Sequence, residues 1–89
     1  MYLHLGNETV IKEEEIIGIF DLENASISRH TRKFLAVREK EKQVVNVSYE
    51  LPKSFIVCKN KNKKSQKVYI SQISTATLLK RLENVDSLI

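Results

Sequence analysis

The sequence predicts an α+β fold, a small single domain of residues 1–89 with a mostly antiparallel sheet, two helices and the order β-β-β-α-β-β-β-α. Two observations lead to this prediction. Short apolar runs bounded by turn residues, which are typical of strands, occur three times before residue 22 and three times between residues 43 and 71. Each group of three runs is followed by a segment in which apolar side chains recur at helical spacing.

The first three strands are expected at residues 2–5, 8–11 and 16–21. Gly6-Asn7 stands between the first two and predicts a tight hairpin, because glycine adopts positive φ without steric cost. The third strand, Ile-Ile-Gly-Ile-Phe-Asp, is apolar at nearly every position, so we expect it to be buried on both faces.

The first helix follows the third strand. Three polar residues could cap its start: Asn24, Ser26 and Ser28. Its apolar stripe is thin and comprises Ile27, Phe34 and Leu35, so the helix is expected to bury one side only. Three basic residues lie three or four positions apart and share a patch: Arg29, Arg32 and Lys33. This patch is either a solvated face or a binding surface for an acidic partner.

The second half of the chain continues with a strand at residues 43–50, where apolar and polar residues alternate, and Leu51-Pro52 ends it. Two further strands, at residues 53–58 and 67–71, flank a lysine-rich loop. The final helix is expected to begin at an N-cap Ser74, with Ile73 and Leu78 packing together across its first turn.

Positive charge is concentrated in the second half. The chain has a net charge of +4, whereas residues 51–82 alone carry eight Lys/Arg and no Asp/Glu. Residues 59–67 are predicted to form an exposed basic hairpin loop with five lysines: Lys59, Lys61, Lys63, Lys64 and Lys67. Such a loop either contacts phosphate groups or is simply a solvated turn. The uneven charge favours an acidic partner such as nucleic acid.

The sequence contains no pattern that indicates an enzyme, a metal site or a cofactor. His4 and His30 are far apart, glycine occurs only at Gly6 and Gly18, and neither zinc spacing nor a phosphate-binding glycine loop is present. Cys58, the single cysteine, is expected to be a small buried apolar residue of a strand. One cysteine, no long apolar run and no signal sequence predict a cytoplasmic protein without a membrane partner.

Four segments resemble the RemA/RemB family, small bacterial regulators of extracellular matrix and biofilm genes. They are MYLHLG at 1–6, IIGIFD at 16–21, PKSFIV at 52–57 and YISQISTATLLKR at 69–81. The resemblance spans roughly residues 1–81. It implies a DNA-binding transcriptional regulator that is not an enzyme and that assembles into a homo-oligomeric ring. Repeated basic surfaces around such a ring would engage duplex DNA.

The resemblance also implies where family members contact DNA, and this chain departs from them there. The family has an arginine just before the third strand, where this chain has Glu15, and an arginine pair at the positions of Leu51 and Pro52. The neighbouring Lys53 keeps a positive charge. The candidate DNA-binding residues are therefore basic residues elsewhere: Lys53, Lys59, Lys61, Lys63, Lys64, Lys67, Arg29, Arg32 and Lys33.

Three functions remain open from the sequence. The first is a DNA-binding regulator of matrix genes acting as a homo-oligomeric ring. The alternative is a ring-forming interaction or scaffold protein that acts through another regulator protein, with weak or no DNA binding. The third is a module that the lysine loop holds to anionic lipid, although no amphipathic helix with a large apolar face is available to insert. The doubly apolar third strand and the thin helix stripes favour self-association, since a second copy would cover them.

Overall fold

The computed structural model describes residues 1–22, 28–59 and 66–87, with side chains described up to residue 83. The elements follow the predicted order, and the α+β class is confirmed. A 3-10 turn at Glu13–Glu15 joins the second and third strands. The strands and helices are β1 (Tyr2–Gly6), β2 (Thr9–Lys12), β3 (Ile16–Asp21), α1 (Arg29–Lys40), β4 (Val44–Asn46), β5 (Ser54–Cys58), β6 (Lys67–Ser71) and α2 (Thr75–Ser87).

The strands form two sheets. β1 and β2 make an antiparallel hairpin, and the other four strands form a sheet in the order β3-β5-β6-β4. The β3/β5 and β5/β6 pairs are antiparallel, whereas β4 and β6 are parallel. The prediction of a mostly antiparallel arrangement is therefore confirmed. β3 and β4 lie at the two edges of the larger sheet.

The larger sheet is covered on both faces, but unequally. The hairpin and α2 cover one face, where Leu3, Leu5 and Ile11 of the hairpin and Leu78 of α2 share a buried cluster with Ile56 of β5. The guanidinium of Arg81 donates a hydrogen bond of 2.9 Å to the carbonyl of His4 and joins α2 to the hairpin. On the other face, Phe34 and Leu35 of α1 pack beside a smaller cluster of Phe55, Val57 and Val68.

The thin cover on the α1 face corrects one prediction. β3 is not buried on both faces: Ile17 is 50% exposed and Phe20 is 46% exposed. Ile16 and Ile19 pack into the hairpin-side core. α1 packs against β4 and β6, so it does not reach over the edge strand on the other side of the sheet.

The predicted strand at residues 43–50 is also shorter than expected. β4 ends at Asn46, and the Val47 amide still donates to the Ile70 carbonyl at 2.9 Å. The chain then turns, with the Ser48 hydroxyl accepting a 3.0 Å hydrogen bond from the Glu50 amide. The alternation of apolar and polar residues therefore extends beyond the end of the strand at Asn46. After that point the Ser48 hydroxyl provides a local hydrogen-bond partner for the backbone in place of a neighbouring strand.

Two serines begin the helices as N-caps. The Ser28 hydroxyl accepts from the Thr31 amide at 3.1 Å, and the Ser74 hydroxyl accepts from the Thr77 amide at 3.2 Å. Ile73 and Leu78 belong to the same apolar cluster, so the predicted packing at the start of α2 is confirmed. The other candidate caps, Asn24 and Ser26, and the stripe residue Ile27 lie outside the described residues.

The β1/β2 hairpin is present, but its turn is one residue later than predicted. Gly6 pairs with Thr9, so Asn7 and Glu8 are the two central residues, with φ of 44° and 66°. Gly6 itself has φ of 107°, and the amide of Gln72 would lie 2.7 Å from a Cβ at this position. Gly6 therefore serves both the backbone conformation and the close approach of Gln72, while Glu8 holds a left-handed conformation that glycine favours.

Glu8→Gly is expected to stabilise the protein by about 0.5–1 kcal/mol, because Asn-Gly is the preferred pair for a turn with two positive φ values. Urea denaturation of the variant and the parent protein measures the change. Ala36→Gly, in the exposed interior of α1, is the control and is expected to destabilise by about 1 kcal/mol. A loss of stability in Glu8→Gly would contradict the assignment of this turn.

Candidate nucleic-acid interface and the apolar surfaces beside it

The described candidate residues fall into three places. Arg29, Arg32 and Lys33 are exposed on the first turns of α1. Lys53 is exposed in the connection before β5, and Lys59 and Lys67 stand at the far ends of β5 and β6. The other three loop lysines, Lys61, Lys63 and Lys64, lie outside the described residues.

Lys59 and Lys67 flank the lysine loop at one end of the sheet. β5 and β6 are the antiparallel pair predicted around it, and Lys67 pairs with Cys58, the last residue of β5. Lys67 therefore belongs to β6 rather than to the loop. Its ammonium lies 5.3 Å from the centre of the Tyr69 ring, which is a cation–π contact along the strand. Lys59 is exposed, and its amide donates to the Glu15 carbonyl at 2.8 Å.

Acidic residues occupy the same end of the sheet. The 3-10 turn of Glu13–Glu15 runs directly into β3, whose first residue pairs with Cys58. Glu14 forms a 3.6 Å ion pair with the N-terminal amine. Carboxylates within a Debye length of about 8–10 Å weaken the attraction of nearby lysines for phosphate. The base of the lysine loop is therefore less positive than the loop sequence suggests.

Lys53 is separated from this group. It precedes β5, whereas Lys59 follows it, and the five residues of the strand place their backbones about 17 Å or more apart. The Lys53 amide donates to the Ser71 carbonyl at 2.9 Å and fixes this connection to β6. Lys53 and Lys59 would contact different phosphates, so the predicted residues form a dispersed surface rather than one pocket.

Cys58 is buried among apolar side chains, as predicted. Burial raises the pKa of its thiol to about 11, with a smaller contribution in the same direction from the Glu15 carboxylate, while Lys67 acts in the opposite direction. The thiol therefore stays protonated at neutral pH and is a poor nucleophile. No group of three His, Cys, Asp or Glu side chains within the described ranges is placed to hold a metal ion.

An apolar groove beside the basic patch of α1 was not anticipated from the sequence. It has a volume of about 350 Å³ and lies between α1 and the exposed edge strand β3, over the buried side chains of β5. Its lining residues are Ile17, Phe20, His30, Thr31, Phe34, Phe55, Val57 and Gln66. The Phe20 and Phe55 rings stack with centroids 4.9 Å apart, and Phe20 lies over Gly18, where a Cβ would come within 2.7 Å of the ring. The doubly apolar third strand was the one signal for it in the sequence.

A second unanticipated feature is an exposed apolar tip, defined as residues 48–52, between β4 and β5. Tyr49 is fully exposed and Leu51 is 80% exposed. Leu51 and Pro52 of this tip stand where the family resemblance implies an arginine pair. The tip therefore presents an exposed aliphatic side chain at one of these two positions, with the exposed aromatic ring of Tyr49 beside it.

The sequence matches a known family. Residues 2–82 match the RemA-like family, described as extracellular matrix regulatory protein A-like, and the chain is a member of this family. It is 37% identical over 83 residues to the extracellular matrix regulatory protein B of Bacillus subtilis (strain 168), and the match covers 93% of this chain and 91% of that protein. The resemblance predicted from the four sequence segments is thereby confirmed.

No helix within the described ranges is both long enough and apolar enough to span a lipid bilayer.

Proposed function

We propose that this protein is a non-enzymatic, homo-oligomeric regulator of extracellular matrix and biofilm genes that binds duplex DNA in the cytoplasm. Membership of the RemA-like family and the similarity to a protein named as a matrix regulator support the regulatory role. The observation that carries the DNA-binding part is the distribution of charge. Residues 51–82 have eight Lys/Arg and no acid, and α1 adds three exposed basic side chains in its first turns.

The dispersed arrangement of these residues favours an oligomer as the binding unit. Contacts from lysine to phosphate position a protein on DNA but do not read its sequence. Few such contacts are available to one chain, and the acids at Glu13–Glu15 oppose them. Several copies in a ring would repeat the surface along one duplex, so that affinity rises through multivalency.

Salt titration of duplex DNA binding, followed by fluorescence anisotropy, tests this function. The variant Lys61→Gln, Lys63→Gln, Lys64→Gln removes three charges from the loop. Each lost phosphate contact is expected to flatten the slope of log K against log [salt] by about 0.9. The parent protein is expected to bind at low salt and to lose affinity steeply as salt rises.

The matched control removes three charges elsewhere: Lys12→Gln, Lys40→Gln and Lys42→Asn. All three lysines are exposed and outside the basic half, and asparagine suits the φ of 60° at Lys42. The control is expected to leave the slope close to that of the parent. If both variants flatten the slope equally, the loop is not a specific DNA contact. If the parent protein does not bind DNA at low salt, the DNA-binding function is wrong.

A second candidate function is an interaction or scaffold protein that acts through another regulator protein and binds DNA weakly or not at all. Two observations favour it. Glu15 stands where the family resemblance implies an arginine, and the tip offers apolar rather than basic side chains. Absence of DNA binding at low salt, together with a stable oligomer, is the result that distinguishes this function from the first.

A further inference from the structure

We infer that the apolar tip of one copy docks into the apolar groove of the next copy, so that the chain associates head to tail. This inference rests on the proposed self-association and identifies the two surfaces that carry it. The tip is the segment of residues 48–52, and the groove is the one formed by β3, β5 and α1.

Shape is the first argument. In the tip, Tyr49 is fully exposed and Leu51 is 80% exposed, and such side chains gain most by entering an apolar pocket. The groove is concave, and stacked Phe20 and Phe55 form part of its wall. Its volume of about 350 Å³ is large enough to accept an aromatic side chain.

Placement is the second argument. Tyr49 and Glu50 lie beside Asn46 of β4 and Ile70 of β6. The groove lies over β3 and β5, toward the opposite edge of the same sheet, whose strand order is β3-β5-β6-β4. Three strand spacings of about 4.8 Å, or roughly 14 Å, separate the edges of this sheet. Because Tyr49 is fully exposed, it does not occupy the groove of its own chain. A contact between two different surfaces is heterologous, so it repeats from copy to copy and closes into a ring when the rotation allows.

Charge is the third argument. Glu50 lies between Tyr49 and Leu51 and is exposed. The first turn of α1, which contributes His30 and Thr31 to the groove, contains no acidic residue. Arg29, Arg32 and Lys33 are exposed on the same two turns. An acidic residue flanked by apolar anchors therefore complements the α1 side of the groove, which carries the basic residues, whereas the exposed Asp21 lies on the β3 side, and this asymmetry orients the docking.

The tip is also held in shape before it binds. The Ser48 hydroxyl accepts from the Glu50 amide at 3.0 Å, and Pro52 restricts the backbone that follows. The Lys53 amide, immediately after the tip, is bonded to Ser71 of β6. A preorganised segment loses less conformational entropy on docking than a flexible one.

The test uses two variants of the full chain. Tyr49→Ser with Leu51→Ser removes the tip side chains, and Ile17→Glu places a carboxylate at the groove wall, where it disfavours both Leu51 and Glu50. Both changes affect exposed residues, so the fold should be retained, and circular dichroism checks this. Tyr2→Ser with Val10→Ser removes a similar exposed pair from the hairpin and is the matched control.

Analytical ultracentrifugation then measures self-association. Loss of a buried anchor of this kind costs about 2 kcal/mol or more, so each variant is expected to associate about 30-fold more weakly, or worse, than the parent. The control is expected to associate like the parent. At a concentration where each variant alone sediments as one chain, an equal mixture of the two is expected to form a species of two chains and nothing larger. The groove variant keeps an intact tip and the tip variant keeps an intact groove, so one contact can form between them and no further copy can add.

Three results would overturn the inference. If the parent oligomerises and neither variant changes its mass, the oligomer uses other surfaces, and the proposed ring survives while the tip-in-groove contact does not. If both variants dissociate but their mixture gives no two-chain species, the contact is not head to tail. If the parent itself sediments as one chain, the proposed oligomer falls as well; DNA binding is judged separately by the salt titration.

Discussion

Replacing Leu78 with alanine is expected to destabilise the protein by about 3 kcal/mol. Leu78 of α2 is fully buried, and its side chain packs against the hairpin and the larger sheet. Removing its side chain loses the transfer free energy of the buried atoms and leaves a cavity among Leu3, Leu5 and Ile56, and such changes cost about 2–5 kcal/mol. Urea denaturation, monitored by circular dichroism, measures the difference.

The next residue is a matched control. Leu79 has the same side chain and lies in the same helix, but it is 46% exposed. Leu79→Ala makes the same chemical change with far less loss of burial, so its cost is expected to stay below about 1 kcal/mol. Equal costs at the two positions would mean that α2 is rotated relative to the sheet.

Ser71→Ala is expected to destabilise the protein by about 2–3 kcal/mol, although the substitution removes a single oxygen. Ser71 is fully buried; its hydroxyl donates to the Leu5 carbonyl at 2.8 Å and accepts from the Ile73 amide at 3.0 Å. Both partners would lose this hydrogen bond inside the protein, and each unsatisfied buried group costs about 1–3 kcal/mol. Ser71 thus connects β6 to the hairpin on one side and to the start of α2 on the other.

Ser48→Ala provides the comparison for this experiment. The Ser48 hydroxyl also accepts one amide hydrogen bond, from Glu50, but this bond is exposed to water. Water replaces the lost partner, so the cost is expected to be about 0.5 kcal/mol or less. If Ser71→Ala were as mild as Ser48→Ala in urea denaturation, the hydroxyl of Ser71 would not join the two layers.

Much of the fold could be predicted from the sequence because the signals for it are local. Caps at Ser28 and Ser74, the hairpin around Asn7 and the strand pair around the lysine loop all involve residues a few positions apart. Local hydrogen bonds and alternation of side chains determine such features without reference to the rest of the chain. The family assignment followed from short segments in the same way, and the match over residues 2–82 confirms it.

The candidate site was predicted less completely. The exposed basic residues of α1 were identified by their spacing, and Lys59 by the composition of its loop. The acids of the 3-10 turn, however, come to lie beside the end of β5 only through the β3/β5 pairing. Their effect on the lysines depends on a strand partner about 40 residues away, which composition does not indicate.

The sequence by itself determined the order of the elements, the Ser74 cap of α2, the charge asymmetry and the family, and it left the cap of α1 open among Asn24, Ser26 and Ser28. The tertiary structure alone decided that β4 pairs in parallel with β6, that β3 is a half-exposed edge strand, and that Tyr49 and Leu51 project from the surface. The physical reason is that burial depends on what other segments cover. An apolar residue such as Phe20 has the same local signal in a core as in an open groove, and only the position of α1 over β4 and β6 leaves it in the groove.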